Sequence, residues 1–292
     1  MKIGFIGAGK VGFSLGRLFA SGSIPVTGYY SRHIESAKAA AKFTDSTWYD
    51  DPGRLVMESD AVFLTVPDSV IPEVFRQIKE IQHYDLKGRQ FCHCSGSMTA
   101  QEAFPGIAQT GAEGYSIHPL FPVSDKYSSY RELQDAFFCI EGSGAHLEDW
   151  KSRLEGLGPE VQIIPSDRKA LYHAACAIAS NLVCALVQES LDLLETCGFT
   201  RDYALKAITP LLRSNMNHII ADGPAGALTG PVERNDVETV RRHLEAFPAP
   251  EDRELYRIVS RKLVETAREK HPERDYEALK TCLNTSLGKE HE

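Results

Sequence analysis

Three groups of residues have the types and spacing to do chemistry. The first is Gly7-Ala8-Gly9-Lys10-Val11-Gly12, a GxGxxG run set between an apolar stretch and a helical pattern. There Gly7 permits a tight turn, Gly9 lets the backbone approach an anion, and Gly12 lets helix and strand pack closely. Amides at the start of the helix then hold a pyrophosphate. The second group lies about twenty residues further on, where an NAD site usually carries Asp or Glu against the ribose hydroxyls. The chain reads Gly28-Tyr29-Tyr30-Ser31-Arg32-His33 and has no carboxylate there. Ser31 can donate to a phosphate oxygen, and Arg32 can pair with that phosphate and stack on an adenine. This favours NADP over NAD.

The third group is a set of polar residues at the ends of apolar runs. Val66-Pro67-Asp68 closes one of them; Pro67 stiffens the loop, and Asp68 is either a helix cap or a cofactor contact. In His93-Cys94-Ser95-Gly96-Ser97, Ser95 can bond a substrate, unless the segment is only a turn with Ser97 as a cap. His118 is held by Pro119 at the end of a further run. His173 and Asn181 sit in a helical, small-residue stretch, about 12 Å apart along a helix axis. They line a cleft or are satisfied core groups. Arg234, in Thr229-Gly230-Pro231-Val232-Glu233-Arg234-Asn235-Asp236, can grip a carboxylate or join a domain-interface ion pair. Asn235 with Glu238 fits a capping box. Cys92-His93-Cys94 fits a buried strand, not a metal site, because alternation sends His93 away from the two thiols.

These residues need a scaffold, and the first half of the chain alternates short apolar runs with helical patterns. Strands are expected at Lys2–Ile6, Pro25–Tyr30, Asp60–Val66, Gln90–Cys94, Gly114–His118, Ala136–Glu141 and Val161–Ile164. Helices are expected at Val11–Ala20, Ile34–Phe43 and Ile71–Ile81. Such alternation implies an α/β fold with a parallel, doubly wound sheet, whose ligands bind at the carboxyl ends of the strands. After Pro165 the pattern turns wholly helical: Arg168–Cys197 without Gly or Pro, then Arg201–Ile220, Asp236–Phe247 and Asp252–Lys270. The expected division is a nucleotide-binding domain over 1–165 and an all-α domain over 166–292.

The chain has 292 residues and a net charge of −8, with 32 basic residues scattered among 40 acidic ones. No basic block suggests nucleic acid or an anionic membrane. Seven cysteines in no regular framework suggest free thiols in a reducing compartment. The longest apolar run, Ala174–Val187 with Asn181 inside it, is short for a bilayer. A cytoplasmic protein is expected.

The motifs GFIGAGKVG, YSR, VPD, HCSGS, SIHPLF, LYHAACAIASN and ALTGPVERND together carry a family resemblance over nearly the whole chain. The chain resembles the Rossmann-like NADP-binding oxidoreductases with a C-terminal domain of unknown function (2520). These are relatives of ketopantoate reductase, prephenate dehydrogenase, pyrroline-5-carboxylate reductase and 6-phosphogluconate dehydrogenase. The resemblance implies NADP binding, a homodimer through the helical domain and reduction of a small substrate. It implies a substrate contact for His118, since prephenate dehydrogenases place a His-Pro there. β-Hydroxyacid dehydrogenases carry Lys-xxx-Asn on the first long helix of the second domain; here Lys169 is followed four residues on by His173. The Arg of the last motif is commonly followed by Gly, so Asn235 is a departure.

The resulting expectation is hydride transfer from NADPH to the carbonyl of a 2-oxo acid, ketopantoate-like. His173 or His118 gives the proton, Asn181 and Ser95 orient the carbonyl, and Arg234 holds the carboxylate. The alternatives are reduction of an imine or oxidation of a β-hydroxy acid, or a non-catalytic NADP(H) sensor.

Overall fold

The computed structural model describes residues 1–81, 85–142 and 144–285. They fall into two compact units, Met1–Asn181 and Leu182–Glu292. The first helix after Pro165 therefore stays with the sheet, and the first unit runs on past the boundary expected there.

The first unit carries strands β1 (Ile3–Ile6), β2 (Val26–Tyr30), β3 (Thr47–Tyr49), β4 (Ala61–Leu64), β5 (Gln90–His93), β6 (Glu113–Pro119), β7 (Phe137–Gly142) and β8 (Glu160–Ile163). Between them lie helices α1 (Lys10–Ser21), α2 (Ile34–Thr44), α3 (Pro52–Glu58), α4 (Ile71–Lys79), α5 (Ala100–Ala103), α6 (Ser129–Glu132) and α7 (Leu147–Glu155). Helix α8 (Lys169–Ala179) closes the unit. The strands form one sheet in the order β3-β2-β1-β4-β5-β6-β7-β8.

Neighbouring strands from β3 to β6 are parallel, but β7 is antiparallel to β6, and β8 is parallel to β7. The all-parallel expectation is corrected at that edge. The chain reverses through the segment between Pro119 and Phe137, which no crossover helix long enough for a parallel return occupies.

Alternation along the strands sorts two apolar layers. Phe5, Tyr29, Phe63 and Ile117 face one layer with Phe13, Phe19 and Trp150, whereas Ile6, Val62, Leu64 and Phe91 face the other with Phe75 and Phe104. Burial on both faces is what makes β4 apolar throughout.

The second unit contains α9 (Asn181–Thr196, from its second residue), α10 (Arg201–Ala227), α11 (Val237–Ala246), α12 (Pro250–Lys270) and α13 (Glu277–Asn284). Its core is Val240, Leu244, Val264, Ala267, Tyr276, Leu279 and Leu283. The long helix expected from Arg168 to Cys197 is two helices, because Ser180 leaves helical geometry (φ −122°, ψ −77°). Gly223 likewise interrupts α10 (φ 71°). Within Ser166–Thr196 an 18-residue window of mean hydropathy 1.7 meets the length and composition of a membrane span, across the break at Ser180.

Helix α11 is capped by Asp236, whose carboxylate accepts from Thr239 N (3.0 Å), and not by Asn235. Asn235 takes a left-handed backbone, φ 60°, and its Nδ2 donates to the Asp275 carbonyl at 2.7 Å. Glycine takes that conformation freely, and Asn is among the few other residues that adopt it readily.

Candidate active site

At the carboxyl edge of the sheet, β1 runs into Gly7, whose φ of 109° is open only to glycine. A Cβ on Gly7 would lie 2.7 Å from the Thr65 backbone. One on Gly12 would lie 2.6 Å from Thr65 Oγ1 and 2.8 Å from the Gly7 carbonyl. Thr65 Oγ1 in turn donates to that carbonyl at 2.9 Å, which locks the turn against β4. Gly9 differs: the nearest atom to a Cβ there is Thr65 O at 3.9 Å. It is the N-cap of α1 and has no side chain to satisfy the first-turn amides, which carry no acidic neighbour either. Those amides and the positive end of the helix dipole face an anion unopposed.

Beside the turn lies a cavity of about 440 Å³, lined by Gly7, Ala8, Gly9, Ser31, Arg32 and Thr65, among others. Val66 and Pro67 close one wall, and Val70 and Val74 add apolar surface. Arg32 is exposed and Ser31 half-buried, so both are available to a phosphate. The cavity thus fits NADP: an apolar wall, an amide cradle, and a cation with a hydroxyl on the β2 side. Lys10 and Val11 begin α1. Asp68 opens a short 3-10 turn without capping it, and its charge faces Cys94, whose thiol burial chiefly pushes up to about 12.

On the other side of β1 the register aligns Leu64, His93 and Ser116 on β4, β5 and β6. His118 is two residues further, so it stands at the same edge. Helix α8 packs here through residues at i, i+3 and i+4, which share one helical face. Lys169 Nζ donates to Ser116 Oγ at 2.6 Å, and Ser116 Oγ donates to the Ser95 carbonyl at 3.2 Å. Tyr172 Oη and His118 Nδ1 share a hydrogen bond of 2.7 Å. The His118 and His173 rings meet edge to face, 6.2 Å between centroids. The loop after β5 lies flat on them: a Cβ on Gly96 would come within 2.4 Å of His173 Cδ2 and 2.9 Å of His118 Nε2.

The electrostatics follow from burial. Lys169 is 0% exposed, and no carboxylate among the described residues forms an ion pair with it. Burial lowers its pKa, and nearby thiols and Glu141 oppose that shift. Burial, then Lys169, then His173 lower His118 to about 4, so its imidazole is neutral at pH 7. Burial raises the Tyr172 phenol well above its usual range, and the Cys139 and Cys176 thiols beside it add to this. His93 is buried and lowered to about 3, by burial first and Lys169 second; its Nδ1 accepts from Ser95 N at 3.2 Å.

Of the residues singled out from sequence, the structure brings His118 and His173 together. Ser95 is only 4% exposed, and its hydroxyl accepts from Met98 N at 3.1 Å. The following short helix is capped not by Ser97 but by Thr99, in a capping box with Glu102. Asn181 is exposed at the end of the first unit, and Arg234 is exposed in the second. Tyr172 was missed, although Lys169, Tyr172, His173 and Cys176 fall at i, i+3, i+4 and i+7. Among the described residues no cluster is fit to hold a metal ion. Among the described residues no two cysteines form a disulfide.

Comparison with known proteins agrees with this geometry. Residues 2–87 match the family described as NADP oxidoreductase, coenzyme F420-dependent, and residues 136–263 match a domain of unknown function, DUF2520. A protein of Thermotoga maritima is 27% identical, with TM-score 0.71, covering 92% of this chain and 99% of that one. The imine reductase of Myxococcus stipitatus, solved with NADP+, is 17% identical, with TM-score 0.60 and coverages of 98% and 100%. A pyrroline-5-carboxylate reductase of Coxiella burnetii is 13% identical, with TM-score 0.54 and coverages of 97% and 96%. No curated protein matches the chain. Residues 2–87 of the first unit are thus similar to NADP(H)-dependent oxidoreductases, and residues 136–263, from β7 in the first unit into α12 in the second, to the DUF2520 domain.

Proposed function

We propose that the chain is an NADPH-dependent reductase acting on the C=N bond of a small imine. The observation that carries this reading is the convergence of His118 and His173 on Gly96, at the same sheet edge as the glycine turn. Three strand spacings, roughly 14 Å, separate β6 from β1. Ser31 and Arg32 stand on the opposite side of β1, so a dinucleotide lying across the turn has its phosphorylated ribose there and its other end towards β4–β6. When bound, NADPH supplies a hydride. His118, half-buried and neutral, supplies a proton at Nε2, and His173 shields the same spot from water.

The solved relatives support an imine more than the ketopantoate-like 2-oxo acid expected from sequence. They include imine reductases and a pyrroline-5-carboxylate reductase, itself among the families the motifs resemble. A further support is the site's own charge: its one cation, Lys169, is sealed beneath the surface and does not reach out to a carboxylate.

The second part of the proposal is a homodimer through the helical unit. Helices α9 and α10 expose Leu182, Leu186, Tyr203, Leu211, Met216 and Ile220, the last at 76%. Apolar surface spread this widely over two helices calls for a cover, and a second copy of the same helices provides one of matching character.

NADPH oxidation, followed at 340 nm over cyclic imines and 2-oxo acids including ketopantoate, tests the reading. Turnover of the imines is expected. Turnover of the oxo acids alone would replace the substrate class, and tight NADPH binding with no turnover at all would favour the sensor.

A further inference from the structure

We propose that Tyr172 and His118 form a two-proton relay, with Tyr172 as the positioning residue behind His118 and buried Lys169 as the counter-charge to the phenolate left behind. The inference rests on the reductase reading above and specifies how the proton reaches the substrate.

The geometry supplies each part. Tyr172 Oη lies 2.7 Å from His118 Nδ1, so one proton is shared between them. In the relay the phenol hydrogen goes to Nδ1, and the lone pair of that nitrogen accepts it. A neutral imidazole that accepts at Nδ1 carries its single hydrogen on Nε2, the nitrogen that stands over Gly96. Lys169 Nζ is 5.5 Å from the Tyr172 ring centroid, and Ser116 Oγ pins it there.

The step balances as follows. The imine carbon gains a hydride, and its nitrogen forms an N–H bond as the Nε2–H bond of His118 breaks. Nδ1 takes the phenol proton as the Tyr172 O–H bond breaks. The imidazole stays neutral in its other tautomer, and the negative charge rests on the phenolate facing the Lys169 ammonium. After the amine leaves, solvent protonates Nε2 and the Nδ1 proton returns to the phenolate. A carbonyl substrate would need the same two protons moved.

The groups around the pair come from three elements. Lys169, His173 and Cys176 lie on α8, Cys139 on β7 and His93 on β5; Glu141 on β7 and Cys94 after β5 act on Lys169, and no carboxylate is among the groups that shift His118 or Tyr172. A direct imidazolium donor in this setting would lose activity about tenfold per pH unit above its pKa. The relay instead holds kcat level from about pH 6 to about pH 9.

The test has two readouts. Nitrogen-15 NMR of labelled histidine at pH 7 is expected to show His118 as the Nε2–H tautomer in the wild-type protein and as a mixture in Tyr172→Phe. With NADPH and 2-methyl-1-pyrroline, the wild-type protein is expected to show the level pH profile. Tyr172→Phe should lose about tenfold to a hundredfold in kcat at neutral pH, fall further as pH rises, and bind NADPH normally. An Nδ1–H tautomer in the wild-type protein overturns the relay whatever the kinetics, and so does an unchanged pH profile in Tyr172→Phe. Failure to reduce any imine or oxo acid, with the Nε2–H tautomer present, overturns the reductase reading while the hydrogen-bonded pair stands.

Discussion

Replacing Gly9 and Gly12 separately by alanine should split nucleotide binding from stability. A Cβ on Gly12 falls 2.6 Å from Thr65 Oγ1 and 2.8 Å from the Gly7 carbonyl. Both are about 0.7 Å or more inside normal contact. Neither atom can swing away, because Thr65 Oγ1 and Gly7 O are bonded to each other at 2.9 Å. Helix α1 must back off the sheet, an overpacking cost of about 1–3 kcal/mol. For a protein of this size that is a melting temperature lower by roughly 3–10 °C. Gly9→Ala meets nothing nearer than 3.9 Å, and its φ of −82° suits alanine. Without cofactor its stability should stay within about 1 kcal/mol of wild type. Its methyl, however, stands in the cavity Gly9 lines, where the amides must meet the pyrophosphate. The Kd for NADPH should rise tenfold or more, at least about 1.4 kcal/mol. Thermal unfolding without cofactor and fluorescence titration with NADPH measure the two effects. Normal NADPH binding by Gly9→Ala, or an unchanged melting temperature in Gly12→Ala, would refute the assigned roles.

Three other outcomes are expected. Arg32→Ala should weaken NADPH binding by about tenfold, the worth of one partly exposed charge-assisted bond, and NADH binding by clearly less, since NADH loses only the adenine stacking; equal losses for both would place the phosphate elsewhere. Ile220→Glu together with Leu211→Glu should convert a dimer to a monomer in sedimentation velocity, and a wild-type monomer at micromolar concentration would exclude the dimer. Acid should destabilise the first unit. The His93 pKa in the folded chain, about 3, lies below its unfolded value near 6.5, so the unfolded state takes the proton first. Stability is then complete above about pH 6.5 and is lost as pH falls towards 3, by roughly 5 kcal/mol at most. Urea midpoints at pH 7, 5 and 4 measure this slope, and His93→Gln should flatten it. A wild-type midpoint that does not move over that range would contradict the assignment.

Much of the first unit was legible in the sequence because two-sided burial leaves a plain signature. Strands such as Ala61–Leu64 are apolar at every position, and the glycine run sits where only a strand-to-helix turn can use it. The short β3 and α3 were not, since Thr47-Trp48-Tyr49 is half exposed and α3 spans under two turns. Nor was the reversal at β7, because strand direction depends on what pairs with what, not on local pattern. In the site, His118 and His173 were visible as polar residues in apolar company. Tyr172 was not, as an aromatic on a helix next to alanines reads as packing. Only contact with His118 Nδ1 gives it a chemical part. The break at Ser180 left no mark either: neither Gly nor Pro announces it.

The reversed edge of the sheet has a mechanical consequence. Because β7 runs against β6 and β8 follows β7, the chain leaves the sheet at its foot and climbs back along β6 as a helix. Two rungs are met in ascending order along β6, Lys169 on Ser116 and Tyr172 on His118, after Ser166 Oγ has met Glu141 at 2.6 Å on β7, level with Ser116. The helix is thereby threaded like a toothed rack against the strand. One extra residue in the turn before Lys169 would rotate the rack by about 100° and disengage every rung above it in a single stroke.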